Sequence, residues 1–510
     1  MAGVLDEYVN KFTALVSTDE WKADRHSQAT KLRGLADIRT KLDSGTLNKL
    51  INLAATSLGL EVDRVKRILL LNDHGEILTA LEPQIKEQPP DELFPREGWL
   101  ADYLTYTSGT EVPTTWNFWC GLSVLASALK RNLFLDSFAF KIWPNLYLMI
   151  VEESASKKST GIGFAKDIIV RLNKLLHLSG AQPHQIIPLA PSSGTFVSFI
   201  EAIQSRQIVT KDEFGGDLLT LADCTAYFSA DDLVTLFSKA SFHASAWVEG
   251  LTHLWDYKGD WERDSIASNL RNQGRVVLRN PSITFVGGTT IEWMRNSVTE
   301  AMVGGGFMSR CIYVIHPGTV EQLYPFPNMI DPVAAIELAE QLVPYALMQQ
   351  RGFVMTPSYR DWYVKWYNDY FLNINSTVTD EKLRAYYHRR PVMLHKIAML
   401  LAISFGRFQG LDSDLDMANK ILIREEMNLE KGFLQVGAHQ DSLLCDMVIR
   451  YIDKKGGRID HSSLLNAFTG RTGGARKFRE LISTLTESGR VKVERKKHIG
   501  GGVEYSLPTF

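Results

Sequence analysis

Apolar positions recur at helical spacing in the first part of the chain. Residues three and four positions apart share one face of a helix, so two apolar stripes here indicate amphipathic helices. The polar stretch 82–91 contains a pair of prolines, which cannot continue a helix. We therefore predict a helical N-terminal domain over residues 1–91. The members of the two stripes are Leu47, Leu50, Ile51, Leu53, Ala54, Val62, Val65, Ile68 and Leu69.

The spacing of apolar residues along the chain changes after residue 92. Short apolar runs of strand length alternate with helical segments as far as residue 330, an order that favours a mostly parallel α/β sheet. Residues 331–438 show helical periodicity only, which predicts a helical extension. The strands predicted within the α/β part are Leu146–Val151, Thr225–Ala230, Ser282–Gly287 and Cys311–Ile315.

The tail, residues 439–510, has a third pattern. Three amphipathic helices, at Leu443–Ile452, Ser462–Phe468 and Ala475–Glu487, are followed by two alternating segments joined by glycines. The alternating segments predict a β-wing. Together the elements predict a winged helix, a fold whose third helix can enter the DNA major groove.

Basic side chains are concentrated on that third helix and the wing, where phosphates would be contacted. We expect a DNA-binding surface there, and a winged helix that contacts protein, with its cations merely solvated, is the alternative. The candidate residues are Arg471, Arg476, Lys477, Arg479, Lys492, Arg495, Lys496 and Lys497.

Composition sets limits on this picture. A chain of 510 residues is expected to form several domains, and 45% apolar residues are enough for ordinary cores. The formal net charge is only −2 although the tail is basic. Four cysteines without C-x-x-C spacing indicate reduced thiols. With no secretion signal and no apolar run of about 20 residues, we expect a cytoplasmic protein that does not bind a membrane.

Candidate chemistry begins where the strand Leu146–Val151 ends. Small residues there lead into Lys157-Lys158-Ser159-Thr160 and then a helical pattern. This order is typical of a nucleotide phosphate loop, in which backbone N–H groups surround phosphates, a lysine reaches them and a hydroxyl holds Mg²⁺. We predict ATP contacts from Ser156 through Thr160, with Lys158 central and Ser159 as a metal ligand. Glu152 and Lys157 stand where the usual pattern has glycine.

A phosphate-loop lysine requires a downstream strand that ends in acids. Asp212-Glu213 follows a short apolar run, whereas Asp231-Asp232 follows the longer run Thr225–Ala230. We favour the second pair, with Asp231 on the Mg²⁺ side and Asp232 orienting the attacking water. Glutamate is commoner in the second role, so the shorter aspartate predicts slow hydrolysis.

Two later segments complete the candidate site. An apolar strand ends at Thr289 and Thr290, where a polar side chain could sense a γ-phosphate; a simple exit from the strand would look the same. Arg310 follows the glycine run 304–306 and precedes a strand. Such an arginine can reach across a subunit interface and stabilise charge on a transferred phosphoryl group. A buried salt-bridge arginine is the alternative.

Several strings resemble a family of RecA-type helicase-like ATPases from phages and mobile elements, often found beside or fused to primases. The most specific are Pro144-Asn-Leu-Tyr and Gly305-Gly-Phe-Met-Ser-Arg310, and the resemblance covers about residues 96–435. It implies a RecA/AAA-like P-loop core over residues 92–330 that uses ATP and Mg²⁺. Minichromosome-maintenance helicases also lack glycine directly before their lysine.

The resemblance further implies a replicative DNA helicase or translocase. Such proteins act as rings of identical subunits, here expected to be hexameric, in the cytoplasm of a bacterium or phage-infected host. A primase or another replication protein on a separate chain is an expected partner. Glu152 and Ala155 depart from the family pattern. The alternative is a non-hydrolysing DNA-binding assembly or initiator protein on a degenerate ATPase scaffold.

Overall fold

The computed structural model contains both helices and strands. The described residues are 2–16, 18, 21, 24–71, 73–81, 93–137, 140–152, 157–190, 195–204, 209–211, 217–220, 224–233, 244–255, 261–263, 276–278, 280–297, 306–315, 330–377, 381–433, 444–445, 447–449, 451–452, 455–472, 474–495 and 503–507.

The described helices are α1 Ala2–Val16, α2 Arg25–Ile38, α3 Ser44–Leu58, α4 Val62–Ile68, α5 His74–Ala80, α6 Trp99–Thr107, α7 Thr114–Leu129, α8 Lys158–Leu178, α9 Phe196–Gln204, α10 Ala244–Leu254, α11 Ile291–Ser297, α12 Pro332–Leu347, α13 Pro357–Thr377, α14 Glu381–Ser404, α15 Asp412–Phe433, α16 His461–Thr472 and α17 Ala475–Glu487. Short 3₁₀ turns occupy Arg39–Lys41, Pro183–Gln185 and Met308–Arg310.

The described strands are β1 Leu133–Asp136, β2 Lys141–Ile142, β3 Tyr147–Val151, β4 Leu189–Ala190, β5 Val209–Lys211, β6 Asp217–Thr220, β7 Thr225–Ala230, β8 Trp261–Arg263, β9 Val276–Leu278, β10 Ser282–Thr289, β11 Ile312–Ile315, β12 Arg351–Met355, β13 Gln409–Gly410, β14 Arg458–Asp460, β15 Lys492–Arg495 and β16 Val503–Ser506. The chain divides into two compact units: Met1–Ile291 with Glu300–Leu429, and Glu292–Thr299 with Glu430–Phe510.

Aspartates define where the N-terminal helices begin. The side chains of Asp43 and Asp73 accept hydrogen bonds from backbone N–H groups in the first turns of α3 and α5, which satisfies donors that the helix leaves unpaired. The apolar faces of α1–α5 form one core, and Val333 and Ile336 of α12 belong to it. Most members of the two predicted stripes are buried, whereas Leu53 and Val62 are 38% and 37% exposed.

The centre of the larger unit is a five-stranded parallel sheet with the order β11-β3-β10-β7-β4. Successive residues of β7 point to opposite faces, as in any strand. Tyr227 reaches Ser123 of α7, with 3.3 Å between the two hydroxyl oxygens. Phe228 stacks on Trp247 of α10 with 5.0 Å between ring centroids. Helices therefore cover both faces, which explains why β3, β7 and β10 are buried at every position.

The α/β prediction is confirmed at the level of a mixed α/β fold with a parallel sheet, and all four predicted strands belong to that sheet. Residues 331–438 were expected to be helical throughout, and this is wrong at two places. Strands β12 and β13 extend a second, four-stranded sheet of order β13-β12-β1-β2. Only Phe353 of the five β12 residues is buried, so β12 is not a buried strand of the kind that sequence analysis looked for.

The smaller unit has its own core around Val448, Leu464, Phe478 and Tyr505. α17 has the bounds predicted from the sequence, and α16 is longer than predicted. β15 and β16 pair antiparallel, as expected for the wing. The strand β14, which the sequence pattern did not reveal, pairs antiparallel with β16.

Candidate functional site

Three parallel strands of the central sheet end close together: β3 and β10 end level with each other, and β7 ends two residues earlier. Thr289 of β10 lies opposite Val151 of β3, and Gly287 of β10 lies opposite Ala230 of β7. Neighbouring strands are about 4.8 Å apart, so the ends of β3 and β7 are separated by roughly 10 Å. In open α/β sheets, ligands bind outside the carboxyl ends of the strands. The predicted lysine, acids and threonine all follow or occupy these ends.

Lys158 begins α8 directly behind β3. Its side chain is buried, and Nζ donates a hydrogen bond of 3.0 Å to the backbone oxygen of Glu152. Burial lowers the pKa of Lys158, and the negative charges of Glu152 and Asp232 act in the opposite direction. Lys158, which follows β3, and Asp232, which follows β7, therefore lie close enough to interact electrostatically. The sequence predicts this for two residues of one site.

Lys157 has the backbone conformation of a glycine. Its φ of 63° lies in the left-handed region, which L-residues avoid at a cost of roughly 1–2 kcal/mol. Its Nζ forms an ion pair of 2.9 Å with Glu111. Val112, which follows Glu111 in the chain, packs tightly on α8. A Cβ added at Gly161 would lie 2.9 Å from Cγ1 of Val112. Residues 111–112 therefore lie along the first turn of α8 and hold Lys157 in place.

Glu111 is a site residue that sequence analysis missed. It lies far from Lys157 along the chain, and no motif links the two positions.

The two glycines of β10 have a packing role. A Cβ at Gly288 would lie 2.6 Å from the backbone oxygen of Asp231, and one at Gly287 would lie 2.7 Å from Leu233 Cδ2. Leu233 N–H in turn donates to the oxygen of Gly288 at 3.0 Å. The segment after β7 thus crosses over β10 toward the lysine, and both acidic residues on it are exposed.

Thr289 stands between the lysine strand and the acidic segment. Its side chain is 1% exposed, and Oγ1 has no hydrogen-bond partner among the described residues. Its backbone oxygen accepts a bond of 3.2 Å from Glu152 N–H. A buried hydroxyl without a partner is uncommon and calls for an explanation, such as a ligand group that it contacts. Thr290, predicted beside it, is half-buried.

The remaining predicted loop residues divide into two groups. Ser159 and Thr160 are exposed in the first turn of α8. Ser156 lies outside the described residues, as does the alternative acidic pair Asp212 and Glu213. The strand before that pair, β5, forms an antiparallel two-stranded sheet with β6 and is not part of the five-stranded sheet.

Arg310 lies at the other edge of the sheet. It precedes β11, which pairs with β3 so that Ile312 is opposite Leu148 and Ile315 opposite Val151. At about 3.3 Å per residue, Arg310 is roughly 20 Å from the level of Glu152, where Lys158 Nζ is bound. Its guanidinium donates to the oxygen of Gly306 at 2.7 Å. Within one chain, Arg310 and Lys158 do not meet.

The structure describes some of the residues that were predicted to bind nucleic acid. Arg476, Lys477 and Arg479 are exposed on α17, and Lys492 is exposed on β15. Arg476 forms an exposed ion pair of 3.3 Å with Glu480. Arg471 and Arg495 belong to α16 and β15, although their side chains lie outside the description. Lys496 and Lys497 lie outside the described residues altogether.

No cluster of three His, Cys, Asp or Glu side chains that could hold a metal ion occurs in the described ranges. Mg²⁺ is commonly held by only one or two carboxylates together with substrate phosphates, so a Ser159–Asp231 site does not require such a cluster. Within those ranges no helix is long and apolar enough to cross a membrane. Comparison with protein-family models and with curated proteins finds no match for this chain.

Proposed function

We propose that this chain is an ATP-dependent DNA helicase or translocase of phage or mobile-element replication that works as a ring of identical subunits. The observation that carries the proposal is that Lys158, at the start of α8, lies close enough to Asp232, just after β7, for that carboxylate to raise the pKa of the lysine. These are the two charges that ATP·Mg²⁺ chemistry needs at one place. They come from strands that are not neighbours, with β10 between them.

The strand order supports a RecA/AAA-like core. Such cores place one strand between the lysine strand and the acid strand, and that strand carries a polar group near the γ-phosphate. Here the intervening strand is β10, and Thr289 is its polar group with an unpaired buried hydroxyl. The conformation of Lys157 supports the same proposal, because a left-handed residue before the lysine preserves the turn that glycine usually makes.

Particular residues would hold the nucleotide and its metal ion. Lys158 and the N-terminal N–H groups of α8 would bind phosphate oxygens, since the positive end of a helix dipole favours anions. The Ser159 hydroxyl and the Asp231 carboxylate are assigned to Mg²⁺, which when bound neutralises phosphate charge. Asp232, beside Lys158, is assigned to orient the attacking water, and Thr289 to sense the γ-phosphate.

The arrangement of the smaller unit supports DNA binding. A winged helix needs three helices and an antiparallel sheet. The smaller unit has α16, α17, helical residues at 444–445, 447–449 and 451–452, and an antiparallel sheet of order β14-β16-β15. The third helix, α17, presents exposed Arg476, Lys477 and Arg479 near its N-terminal end, where a recognition helix contacts DNA. Their charges are suited to phosphates, whose neutralisation provides most non-specific affinity.

One contact favours a second candidate, a non-hydrolysing DNA-binding protein on an ATPase scaffold. Lys158 Nζ is bound to the backbone of Glu152, and the Glu152 carboxylate is an electrostatic neighbour of the lysine. A carboxylate at the loop entrance repels phosphates unless it turns away. The two candidates differ in one property, since the scaffold protein would neither bind nor hydrolyse ATP.

The test is DNA-stimulated ATP hydrolysis by Lys158→Ala, with Lys166→Ala as the matched control. Lys166 is exposed on the same helix, so its replacement removes an equal charge away from the site. We expect Lys158→Ala to lose about 10²-fold or more in rate, the usual effect of removing one group that stabilises transition-state charge. We expect Lys166→Ala to stay near wild type. Full activity in Lys158→Ala refutes the site.

A further inference from the structure

A cavity opens at the amino edge of the central sheet, on the side away from Lys158. Its volume is about 250 Å³, and its eight lining residues include no acidic side chain. Three are aromatic, namely Phe140, Trp143 and Trp255, and three are cationic, namely Lys141, Arg389 and Lys396. Such a lining suits an anion that also carries a flat, apolar part.

The wall of this cavity is rigidly built. Lys396 is 2% exposed, and its Nζ donates to the backbone oxygen and to Oδ1 of Asn145 at 2.9 and 2.6 Å. The Asn145 amide donates to the backbone oxygens of Trp255 and Ile283 at 3.2 and 3.3 Å. One buried ammonium group and one buried amide thus connect α14, the start of β3, the start of β10 and the end of α10.

Three cationic side chains lie near one indole ring, that of Trp255. Lys396 Nζ lies 4.3 Å from the centroid of Trp255, and the guanidinium carbons of Arg389 and Arg310 lie at 5.7 and 5.8 Å. All three distances are within the range of a cation–π contact. Arg389 is further oriented by its Nε, which donates to the hydroxyl of Ser309 at 3.1 Å. Cations that gather in this way repel one another, and an anionic ligand relieves the repulsion.

The rim is accessible. Lys141 and Phe140 are exposed, and Trp143 is half-buried. The volume of about 250 Å³ lies just below the usual range for small-ligand sites, about 300–1,000 Å³, which limits the ligand to about one base with its phosphate. Aromatic side chains stack on bases of any sequence, and arginine binds phosphate oxygens through paired N–H groups.

We propose that this cavity binds one nucleotide unit, with the base among the three aromatic rings and the phosphate at Arg389 and Lys141. The site is distinct from the one proposed for ATP, because the two lie at opposite edges of the sheet. A free mononucleotide and one nucleotide of a single strand present the same chemistry to it.

The experiment is photo-cross-linking of the full-length Lys158→Ala protein without Mg²⁺, followed by peptide mapping. That background removes the lysine of the proposed ATP site, so the outcome does not depend on ATP binding there. The two probes are 5-bromo-2′-deoxyuridine monophosphate and a thymidine hexamer that carries one 5-bromouracil. We expect cross-links to peptides that contain Trp143 or Trp255. Labelling by the hexamer alone identifies single-stranded DNA as the source, and labelling by the monophosphate identifies a free nucleotide.

Three variants in the same background complete the test. Arg389→Gln keeps a donor for Ser309 but removes the charge, and Lys141→Gln removes the charge of an exposed residue on the rim. Each should reduce cross-linking at these peptides about tenfold. The control is Lys365→Gln, an exposed lysine on α13, which should leave labelling unchanged. Absence of cross-links with both probes, or equal labelling in all three variants, overturns the proposal.

Discussion

At the scale of single residues, Lys157 decides how the loop before α8 is interpreted. A pattern search counts it as a lost glycine, whereas its backbone has the φ of 63° that glycine would supply. The ion pair with Glu111 at 2.9 Å accompanies this conformation. Sequence analysis could predict the role of Lys158, because the strand, the small residues, the lysine and the helix follow one another directly in the chain. It could not predict Glu111, because that contact depends on how the loop before α7 folds over α8.

Lys157→Gly should be more stable than Lys157→Ala by about 1 kcal/mol. Both variants lose the ion pair with Glu111, but only glycine adopts a positive φ without steric cost. Urea unfolding of the two proteins measures the difference directly. Equal stability would mean that residue 157 does not have a left-handed conformation in solution, and the argument for a preserved turn would fail.

At the scale of elements, the apolar runs that predicted β3, β7, β10 and β11 are long and fully buried between two helical layers. Among the strands that sequence analysis missed, β12, β13 and β14 are partly exposed, so none of them is the continuous buried apolar run by which the other strands were found. Parallel pairing of β1 with β12 joins segments more than 200 residues apart, and no local pattern encodes such a pairing. The packing role of the β10 glycines depends on the segment that crosses them, which the residues beside them in sequence do not show.

Gly288→Ala should displace that segment and lower ATP hydrolysis. The added Cβ would meet the Asp231 backbone oxygen at 2.6 Å, and overpacking of this kind costs about 1–3 kcal/mol. Gly163→Ala is the matched control, because a Cβ there meets nothing within 4 Å. It should stabilise α8 by roughly 0.5–1 kcal/mol. Thermal unfolding and steady-state ATP hydrolysis of both variants test these expectations. A fully active and stable Gly288→Ala protein would contradict the claim that the segment after β7 crosses β10 at Gly288.

At the scale of the whole molecule, the charges of the proposed motor lie on opposite edges of one sheet. Lys158 and Asp232 lie at the carboxyl edge, and Arg310 at the amino edge. An arginine so placed can act on a nucleotide only if a neighbouring subunit brings its amino edge to the first subunit's carboxyl edge. A head-to-tail contact of this type generates rings when its rotation closes. Rings of identical subunits are also what the resemblance to helicase-like ATPases implies.

Mixing two inactive variants tests that arrangement. Lys158→Ala and Arg310→Ala should each be inactive alone. In an equimolar mixture, some interfaces join an intact Lys158 to an intact Arg310, and DNA-stimulated hydrolysis should reappear. If Arg310 acted within its own chain, no subunit of the mixture would carry a complete site, and hydrolysis would stay absent. Exchange of subunits is checked by mixing two differently labelled preparations.

The central claim is that the carboxyl edge of the sheet binds ATP·Mg²⁺ through Lys158. Isothermal titration of the full-length chain with ATP and Mg²⁺ tests it most directly. We predict saturable heat with about one nucleotide per chain, kept in Lys166→Ala and lost in Lys158→Ala. Absence of heat in the wild-type protein would contradict the claim and leave the scaffold candidate in its place.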